Sequence, residues 1–312
     1  MTKLIEELSL SERLQPRIEV EEWMAKTGRK LRKKNILLKH ERYIIRPLLK
    51  LFLQLSGLYE RGVRNALSPV VRKLELGFPN LPPEFDGFQL LHLSDLHIDG
   101  VDGLPEVVAR ALSELRPDIC LMTGDYRFED DGPCRRVYPR MRHIVESISA
   151  KHGIFAILGN HDAAEIAHAL TDMGVRMLVN EAVEITQGRG SVWLAGLDDD
   201  FSYQADDLPG TLSSLPPNAF KILLAHSPEL FGEAAAHGVN LYLCGHTHAG
   251  QIRLPKIGSL RNNANCPPAY TYGHWVHEQM HGYTSAGVGC SSLPVRYNCP
   301  PEIVLIELRR EE

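Results

Sequence analysis

The chain has 312 residues, of which 44% are hydrophobic and 23% charged, and its formal net charge is −5. This composition is typical of a globular domain and excludes a disordered chain, a collagen-like repeat and a multi-spanning membrane protein. The charge is divided unevenly, because residues 29–73 carry a net +11 and the remainder carries −16. Such an asymmetry predicts a basic segment that contacts an anionic partner, attached to an acidic body.

The first 78 residues are predicted to form a separate, largely helical and basic region. Residues 1–28 mix acids and bases and lack the apolar core of a signal peptide. In residues 43–58 an apolar stretch is interrupted by Arg46 and Lys50, and Pro47 is placed to begin a helix. This pattern favours a helix lying in a membrane interface, so residues 29–78 are predicted to bind an anionic membrane surface. A helix that packs on the body, or a dimer contact, is the alternative.

The six cysteines are scattered and form no Cys-x-x-Cys pair, which favours reduced thiols in a cytoplasmic protein. The sequence contains no uncharged apolar run of about 18 residues, the length that would predict a transmembrane helix. The predicted location is therefore the cytoplasm, with peripheral attachment to the inner face of the membrane.

A turn-rich segment, residues 78–87, marks the boundary to a second predicted region, residues 79–312. Short apolar runs of strand length alternate here with helical patterns at 104–115 and 163–173, which predicts an α/β fold. The predicted strands are 88–93, 119–122, 154–158, 192–197, 220–225, 241–244, 283–288 and 303–308.

Five of these strands end in residue types that bind metals. In α/β folds functional groups gather beyond the carboxyl ends of strands, and alternate residues of an extended segment face the same side. Gly159 and Gly245 would allow the backbone to approach the same point. Oxygen and nitrogen donors without a cysteine suit Mn, Fe or Zn, and their number exceeds the need of one ion. The seven predicted donors are Asp95, His97, Asp125, Asn160, His226, His246 and His248.

In their order and spacing these motifs resemble the calcineurin-like metallophosphoesterases over residues 86–309. Residues 246–255 and 287–296 resemble a bacterial branch of membrane-associated phosphodiesterases, which includes UDP-2,3-diacylglucosamine pyrophosphohydrolases. The resemblance implies a four-layer sandwich of two mixed sheets flanked by helices. This sequence departs from the branch at Ala249, where glycine is usual, and at Tyr126 and Arg127, which replace an aliphatic pair.

The resemblance also implies a role for each donor. One ion would be held by Asp95, His97 and His248, a second by Asn160, His226 and His246, and Asp125 would bridge them. The cofactor is predicted to be two divalent ions, with manganese favoured over iron or zinc. His161 is expected to stay off the metals and to protonate the leaving group.

Other polar residues near these motifs have less determined roles. Arg127 and Arg296 are candidates to clamp a second phosphate, or are solvated or salt-bridged. Asp198 is a candidate substrate or supporting group, or an exposed loop carboxylate. Asp162 would orient His161 or a loop, or complement a helix dipole. The histidine-rich residues 273–281 are expected to form a solvated loop, with a border of the pocket as the alternative.

The predicted function is metal-dependent hydrolysis of phosphodiester or pyrophosphate bonds in a lipid-linked or nucleotide-linked substrate at a membrane surface. A nuclease or cyclic-nucleotide phosphodiesterase is the second hypothesis. Nucleic acid is not expected as a partner, because the basic segment alternates with long aliphatic residues instead of stacking aromatics. A non-catalytic scaffold on a phosphoesterase fold is the third hypothesis. The sequence leaves the physiological substrate and the oligomeric state open.

Overall fold

The computed structural model describes residues 9–27, 45–259 and 262–311. The prediction for basic residues 29–44 therefore lies outside the described residues. Two helices, α1 (Leu10–Arg13) and α2 (Gln15–Thr27), come first. After the gap follow α3 (Arg46–Leu55), with Pro47 in its first turn as predicted, and α4 (Leu58–Ala66). Among the described residues, no helix is both long and apolar enough to span a bilayer.

The first sheet is mixed and has the strand order β1-β14-β2-β3-β4-β5. β14 pairs parallel with β1 and antiparallel with β2, and the remaining neighbours are parallel. Its strands are β1 (Val70–Phe78), β2 (Gln89–Leu93), β3 (Ile119–Met122), β4 (Ile154–Ala156), β5 (Arg176–Met177) and β14 (Glu302–Arg310).

The second sheet is also mixed and has the order β12-β13-β9-β8-β7-β6. β13, β9, β8 and β7 run parallel, and an antiparallel strand closes each edge. Its strands are β6 (Glu181–Gln187), β7 (Gly190–Gly196), β8 (Lys221–Leu224), β9 (Leu241–Cys244), β12 (Gly273–His277) and β13 (Met280–Thr284). A two-stranded hairpin, β10 (Arg253–Leu254) with β11 (Gly258–Ser259), lies outside both sheets.

The two sheets pack face to face over an apolar core to which both contribute, with Leu90, Leu121 and Leu224 fully or almost fully buried. A second core covers the outer face of the first sheet and a third covers that of the second sheet. The predicted fold class is confirmed: an α/β sandwich of two mixed sheets flanked by helices. The flanking helices are α5 (Leu104–Ser113), α6 (Val137–Ser147) and α7 (Ala164–Thr171) on one side, and α8 (Leu208–Ser213) and α9 (Phe231–Ala236) on the other.

Several strands differ from the sequence expectation. β1 is the edge strand of the first sheet, so the boundary predicted after residue 78 would separate this strand from its own sheet. β5, β6, β10 and β11 are not among the predicted strands. The histidine-rich residues 273–281 form the β12–β13 hairpin, so the solvated-loop prediction is wrong. His277 and His281 lie at the end of this hairpin that pairs with the beginning of β9, away from the motif that follows β9.

Candidate metal centre

The seven predicted donors follow their strands, but five of them adopt left-handed backbone turns. Their φ angles lie between 37° for His97 and 68° for His246. The prediction that alternate residues of extended segments point together is therefore wrong in its geometry. Left-handed φ costs a non-glycine residue about 1–3 kcal/mol and is concentrated at functional sites. The five are Asp95, His97, Asp125, His246 and His248.

One half of the centre joins the motif after β2 to the motif after β9. The Nε2 atoms of His97 and His248 lie 3.1 Å apart, and His248 Nε2 lies 3.2 Å from Asp95 Oδ1. Asp125 Oδ2 is 3.5 Å from His97 Nε2. The donor atoms of Asp95, His97 and His248 all lie within 4.8 Å of one another, which is close enough to share one cation.

The other half collects the remaining donors. Asn160 Oδ1 lies 2.7 Å from His246 Nδ1 and 3.0 Å from His226 Nε2. The second carboxylate oxygen of Asp125, Oδ1, is 3.4 Å from His226 Nε2. Asp125 therefore directs one oxygen toward each half, which is the arrangement that a bridging carboxylate requires. The structure brings all seven predicted donors to one place.

Backbone carbonyl groups fix the rings of two of these histidines. His97 Nδ1 lies 2.6 Å from the carbonyl oxygen of Arg127, and His226 Nδ1 lies 2.7 Å from that of Thr123. Each Nδ1–H donates to its carbonyl, which leaves Nε2 directed into the centre; such outer hydrogen bonds select the tautomer of metal-binding imidazoles. Burial, followed by the neighbouring His248, lowers the pKa of His97 to about 3, so its ring is neutral, the form that ligates cations.

Two glycines permit the close approach of the loops, as the sequence predicts. A Cβ at Gly159 would lie 2.8 Å from His226 Cε1 and would overlap Asp125 Oδ1. A Cβ at Gly245 would overlap Ser94 Oγ and Asp95 Oδ2. The carboxylates of Asp95 and Asp125 therefore occupy the volume that any side chain at these positions would need.

His161 lies at the edge of the donor cluster and is partly exposed. Its Nδ1–H donates to the carbonyl oxygen of Phe128 at 2.8 Å, and its Nε2 is 3.9 Å from Asp125 Oδ2. The ring therefore presents Nε2 beside the cluster, at a longer distance from Asp125 than the rings of His97 and His226.

Asp162 ties two of the loops together. Its Oδ2 accepts from the backbone N–H groups of Asp125 and Gly159 at 2.7 and 2.9 Å, and its Oδ1 accepts from that of Tyr126 at 2.8 Å. Of the two predicted roles, loop orientation describes these contacts, and the helix-dipole alternative does not.

The two candidate phosphate clamps are buried and bound to backbone carbonyls. The guanidinium of Arg127 donates to the carbonyl oxygens of His161, Gly132 and Asp130. That of Arg296 donates to those of Ala286 and Gly289, and its Nη2 lies 3.3 Å from His248 Nδ1. These contacts contradict the clamp prediction, because the N–H groups that would bind phosphate already have partners. Both arginines brace loops of the centre.

The segment around Arg296 is also attached to α4. The backbone N–H of Arg296 donates to the carbonyl oxygen of Gly62 at 3.0 Å, and Asn65 Nδ2 donates to the backbone carbonyl oxygen of Arg296 at 2.8 Å. Gly62 lies so close to this segment that a Cβ would be 2.6 Å from the hydroxyl of Tyr297. The helix is therefore in backbone contact with the segment that supports His248.

Asp198 is not an exposed loop carboxylate, and its contacts fit the predicted supporting role instead of the substrate-binding role. It is buried, and its Oδ1 forms an ion pair with Arg17 of α2, with the nitrogen and oxygen 2.6 Å apart. Arg17 could not be found from the sequence, because an arginine among mixed charges near the N-terminus gives no signal of burial.

The donor set fits divalent cations. Two carboxylates, four imidazoles and one amide oxygen converge from five separate loops, and this mixture without thiolates suits ions of the Mn, Fe and Zn type. Asp95 and Asp125 are buried in strained turns and face these imidazoles, an arrangement that suits a bound cation. The two mixed sheets and this centre define the class of a metal-dependent phosphoester hydrolase.

Comparison with known proteins identifies the family. The family model described as calcineurin-like phosphoesterase matches residues 88–250, more than half of the chain. This chain belongs to the calcineurin-like phosphoesterase family.

Several bacterial and animal proteins are similar in sequence to this chain over most of its length. YkuE of Bacillus subtilis (strain 168), described as an uncharacterized metallophosphoesterase, is 32% identical over 240 residues, covering 73% of this chain and 82% of its own. The phosphodiesterase YaeI of Escherichia coli (strain K12) is 29% identical over 231 residues, covering 71% and 82%. A Bos taurus protein named transmembrane protein with metallophosphoesterase domain is 27% identical over 270 residues, covering 80% and 59%.

Proposed function

We propose that this chain hydrolyses phosphodiester or pyrophosphate bonds with two divalent metal ions, manganese foremost, in a lipid-linked or nucleotide-linked substrate at an anionic membrane surface. The observation that carries the two-metal part is Asp125, whose two oxygens face different halves of the donor set at 3.5 and 3.4 Å. The name phosphodiesterase for the similar Escherichia coli protein supports the diester bond.

The chemistry of the donors fits an anionic substrate. Asp95, His97 and His248 would hold one ion, Asn160, His226 and His246 the other, and Asp125 both. Two such ions lower the pKa of bound water and withdraw charge from a phosphoryl group. Since only two of the seven donors are carboxylates, the loaded site would keep a positive charge and attract phosphate.

His161 is the residue proposed to move a proton. The carbonyl oxygen of Phe128 holds its Nδ1–H, so the ring cannot turn without losing that hydrogen bond. Its Nε2 is directed toward the donor cluster, where a leaving oxygen would separate from phosphorus. A protonated Nε2 can donate to that oxygen as a general acid.

A panel of substrates tests the reaction. We expect the purified chain with added Mn²⁺ to cleave a chromogenic phosphodiester and UDP-2,3-diacylglucosamine faster than a chromogenic monoester. Product identification by mass spectrometry would locate the broken bond. A preference for the monoester, or for single-stranded DNA or a cyclic nucleotide, would contradict the proposed substrate class, and chelation of the metal should abolish every activity.

The surface of α3 supports the membrane location. One side of the helix packs on the body, where Leu53 is buried against Leu293 and Val295. The other side exposes a row of large apolar side chains at helical spacing, each between 50% and 80% exposed. An exposed apolar stripe of this kind is typical of a helix that lies in a bilayer interface. The row consists of Ile45, Leu48, Leu51, Phe52 and Leu55.

The helices α3 and α4 are also basic. They contain Arg46, Lys50, Arg61 and Arg64 against a single acid, Glu60, and a net positive charge complements anionic headgroups. One cavity, of about 560 Å³, lies at the end of the second sheet that is opposite to the donor cluster. Another, of about 500 Å³, lies between α3 and Phe128. The Phe128 ring, which lines this cavity, is edge-on to that of His97 with centroids 6.3 Å apart, so the cavity lies next to the centre.

Vesicle binding tests the membrane part. The double substitution Leu48→Glu with Phe52→Glu is expected to weaken binding to phosphatidylglycerol vesicles at least about 100-fold, because each side chain contributes about 1.5–3 kcal/mol when buried in an apolar phase. Point substitutions are needed because deletion of residues 29–78 would remove β1. Val276→Glu, on the exposed face of β12, is the matched control and should leave binding unchanged. Equal binding by all variants would contradict the proposal.

A further inference from the structure

An arginine of α2 lies behind the loop that carries Asn160 and His161. Arg17 is fully buried, although it belongs to a helix outside the residues that match the family model. Its Nη1 donates to the carbonyl oxygen of Asp162 at 2.7 Å, and Nη1 and Nη2 each lie 3.3 Å from that of Gly159. One guanidinium group therefore grips the residue before Asn160 and the residue after His161.

The guanidinium is itself held from two sides. Its Nε and Nη2 donate to Asp198 Oδ1 at 2.8 and 2.6 Å, and its Cζ atom lies 3.9 Å from the centre of the Tyr203 ring. The hydroxyl of Tyr203 donates to the same carbonyl oxygen of Asp162 at 3.1 Å. The position of Arg17 is thereby fixed by groups that are not metal donors.

A second contact from α2 reaches the residue that follows this loop. Glu21 Oε1 accepts from the backbone N–H of Ala164, the first residue of α7, at 2.8 Å. Leu14, between α1 and α2, is fully buried in the core beneath the flanking helices. The helix is therefore packed as part of the body, and its two polar side chains bracket the loop.

We propose that Arg17 is a positioning residue of the active centre, which holds the loop 159–162 so that Asn160 and His161 face the other donors. This rests on the proposed roles of those two residues. A guanidinium suits the task because its planar fork reaches a carboxylate and two carbonyl groups at once, which the single ammonium group of lysine cannot do. The N-terminal helix α2 is then part of the catalytic apparatus.

Substitution of Arg17 tests the proposal by activity and by metal binding. Arg17→Ala is expected to lower kcat about 100-fold with little change in KM, since small displacements of catalytic groups have effects of this size. It should also weaken binding of the second Mn²⁺ in a titration of the purified chain, because Asn160 would be released. Methylguanidinium should restore part of the activity, and ammonium at equal ionic strength should not. Arg17→Lys should remain impaired.

Two further variants separate positioning from stability. Arg17→Met with Asp198→Asn removes both members of the buried ion pair and also removes the grip on the loop, so it should fold and stay impaired. Arg13→Ala removes a contact of the same helical pair to the carbonyl oxygen of Asn180, a residue outside the loop 159–162, and should keep kcat and both metal ions. In a His161→Ala background, Arg17→Ala should still weaken binding of the second Mn²⁺, because the release of Asn160 does not depend on the His161 side chain.

The outcomes are distinct. Arg17→Ala with unchanged kcat, unchanged binding of the second Mn²⁺ and no response to methylguanidinium would overturn the proposal. Equal impairment in Arg13→Ala would also overturn it, because general docking of the helices would then explain the effect. If the wild type bound two Mn²⁺ but hydrolysed none of the phosphate esters, the proposed function would fail, and the metal titration would still test Arg17.

Discussion

Replacement of Asp125 with asparagine is expected to lower kcat at least about 1,000-fold and to leave the chain with fewer than two bound metal ions. Its Oδ1 and Oδ2 lie 3.4 Å from His226 Nε2 and 3.5 Å from His97 Nε2. An amide has one oxygen and no charge, so it cannot serve both halves of the centre. Metal analysis by mass spectrometry, together with kcat on a chromogenic diester, measures both effects.

The substitution itself is nearly isosteric, so the fold should tolerate it. The backbone N–H of His161 donates to Asp125 Oδ1 at 2.8 Å, and an asparagine oxygen can accept the same bond. Asp102→Asn, at an exposed position, is the matched control and should change neither quantity. Two full equivalents of metal in Asp125→Asn would show that this carboxylate does not bridge.

Removal of the His161 side chain is expected to affect substrates according to their leaving groups. With an alkoxide leaving group His161→Ala should lose about 100- to 10,000-fold in kcat, the range for a missing general acid. With p-nitrophenolate, which needs no proton, the loss should be about tenfold or less. The comparison of the two substrates isolates proton donation from every other contribution of the side chain.

The metal content of His161→Ala decides between two roles. His161 Nε2 lies 3.9 Å from Asp125 Oδ2, and His97, Asp125 and His161 together are close enough to hold an ion. A general acid predicts that both ions remain after the substitution, whereas a ligand predicts that one is lost. His143→Ala, an exposed histidine of α6, controls for the substitution. Equal losses on both leaving groups would exclude the acid role.

The donors could be predicted from the sequence because each follows a short apolar run, and such runs become buried strands whose carboxyl ends share an edge. The backbone conformation of those donors could not be predicted from the sequence. Asp95 and His97 were expected on an extended segment, but both have positive φ, held by backbone hydrogen bonds of their N–H groups to Gly124 and Asp125. Strain of this kind depends on contacts between loops distant in sequence.

For the arginines, distance from a motif in the sequence does not indicate position in the structure. Arg127 and Arg296 stand beside the motifs and look like phosphate contacts, yet both are buried under backbone carbonyls. Arg17 stands far from every motif but lies behind the centre, 181 residues from its partner Asp198. Sequence proximity to a motif does not tell which atoms a long side chain reaches. β1 was missed because most of its side chains are exposed and its stability comes from pairing with β14.

The backbone contact of α4 with the segment around Arg296 has a consequence for a lipid-linked substrate. α4, which follows the apolar row of α3, is joined through Arg296 to the imidazole of His248, so an α3 bound to a membrane would hold the centre at a set distance from it. On a bilayer the centre would then stand at a fixed height above the headgroups. Scissile bonds would be selected by their distance from the lipid anchor, and the helices would act as a molecular ruler.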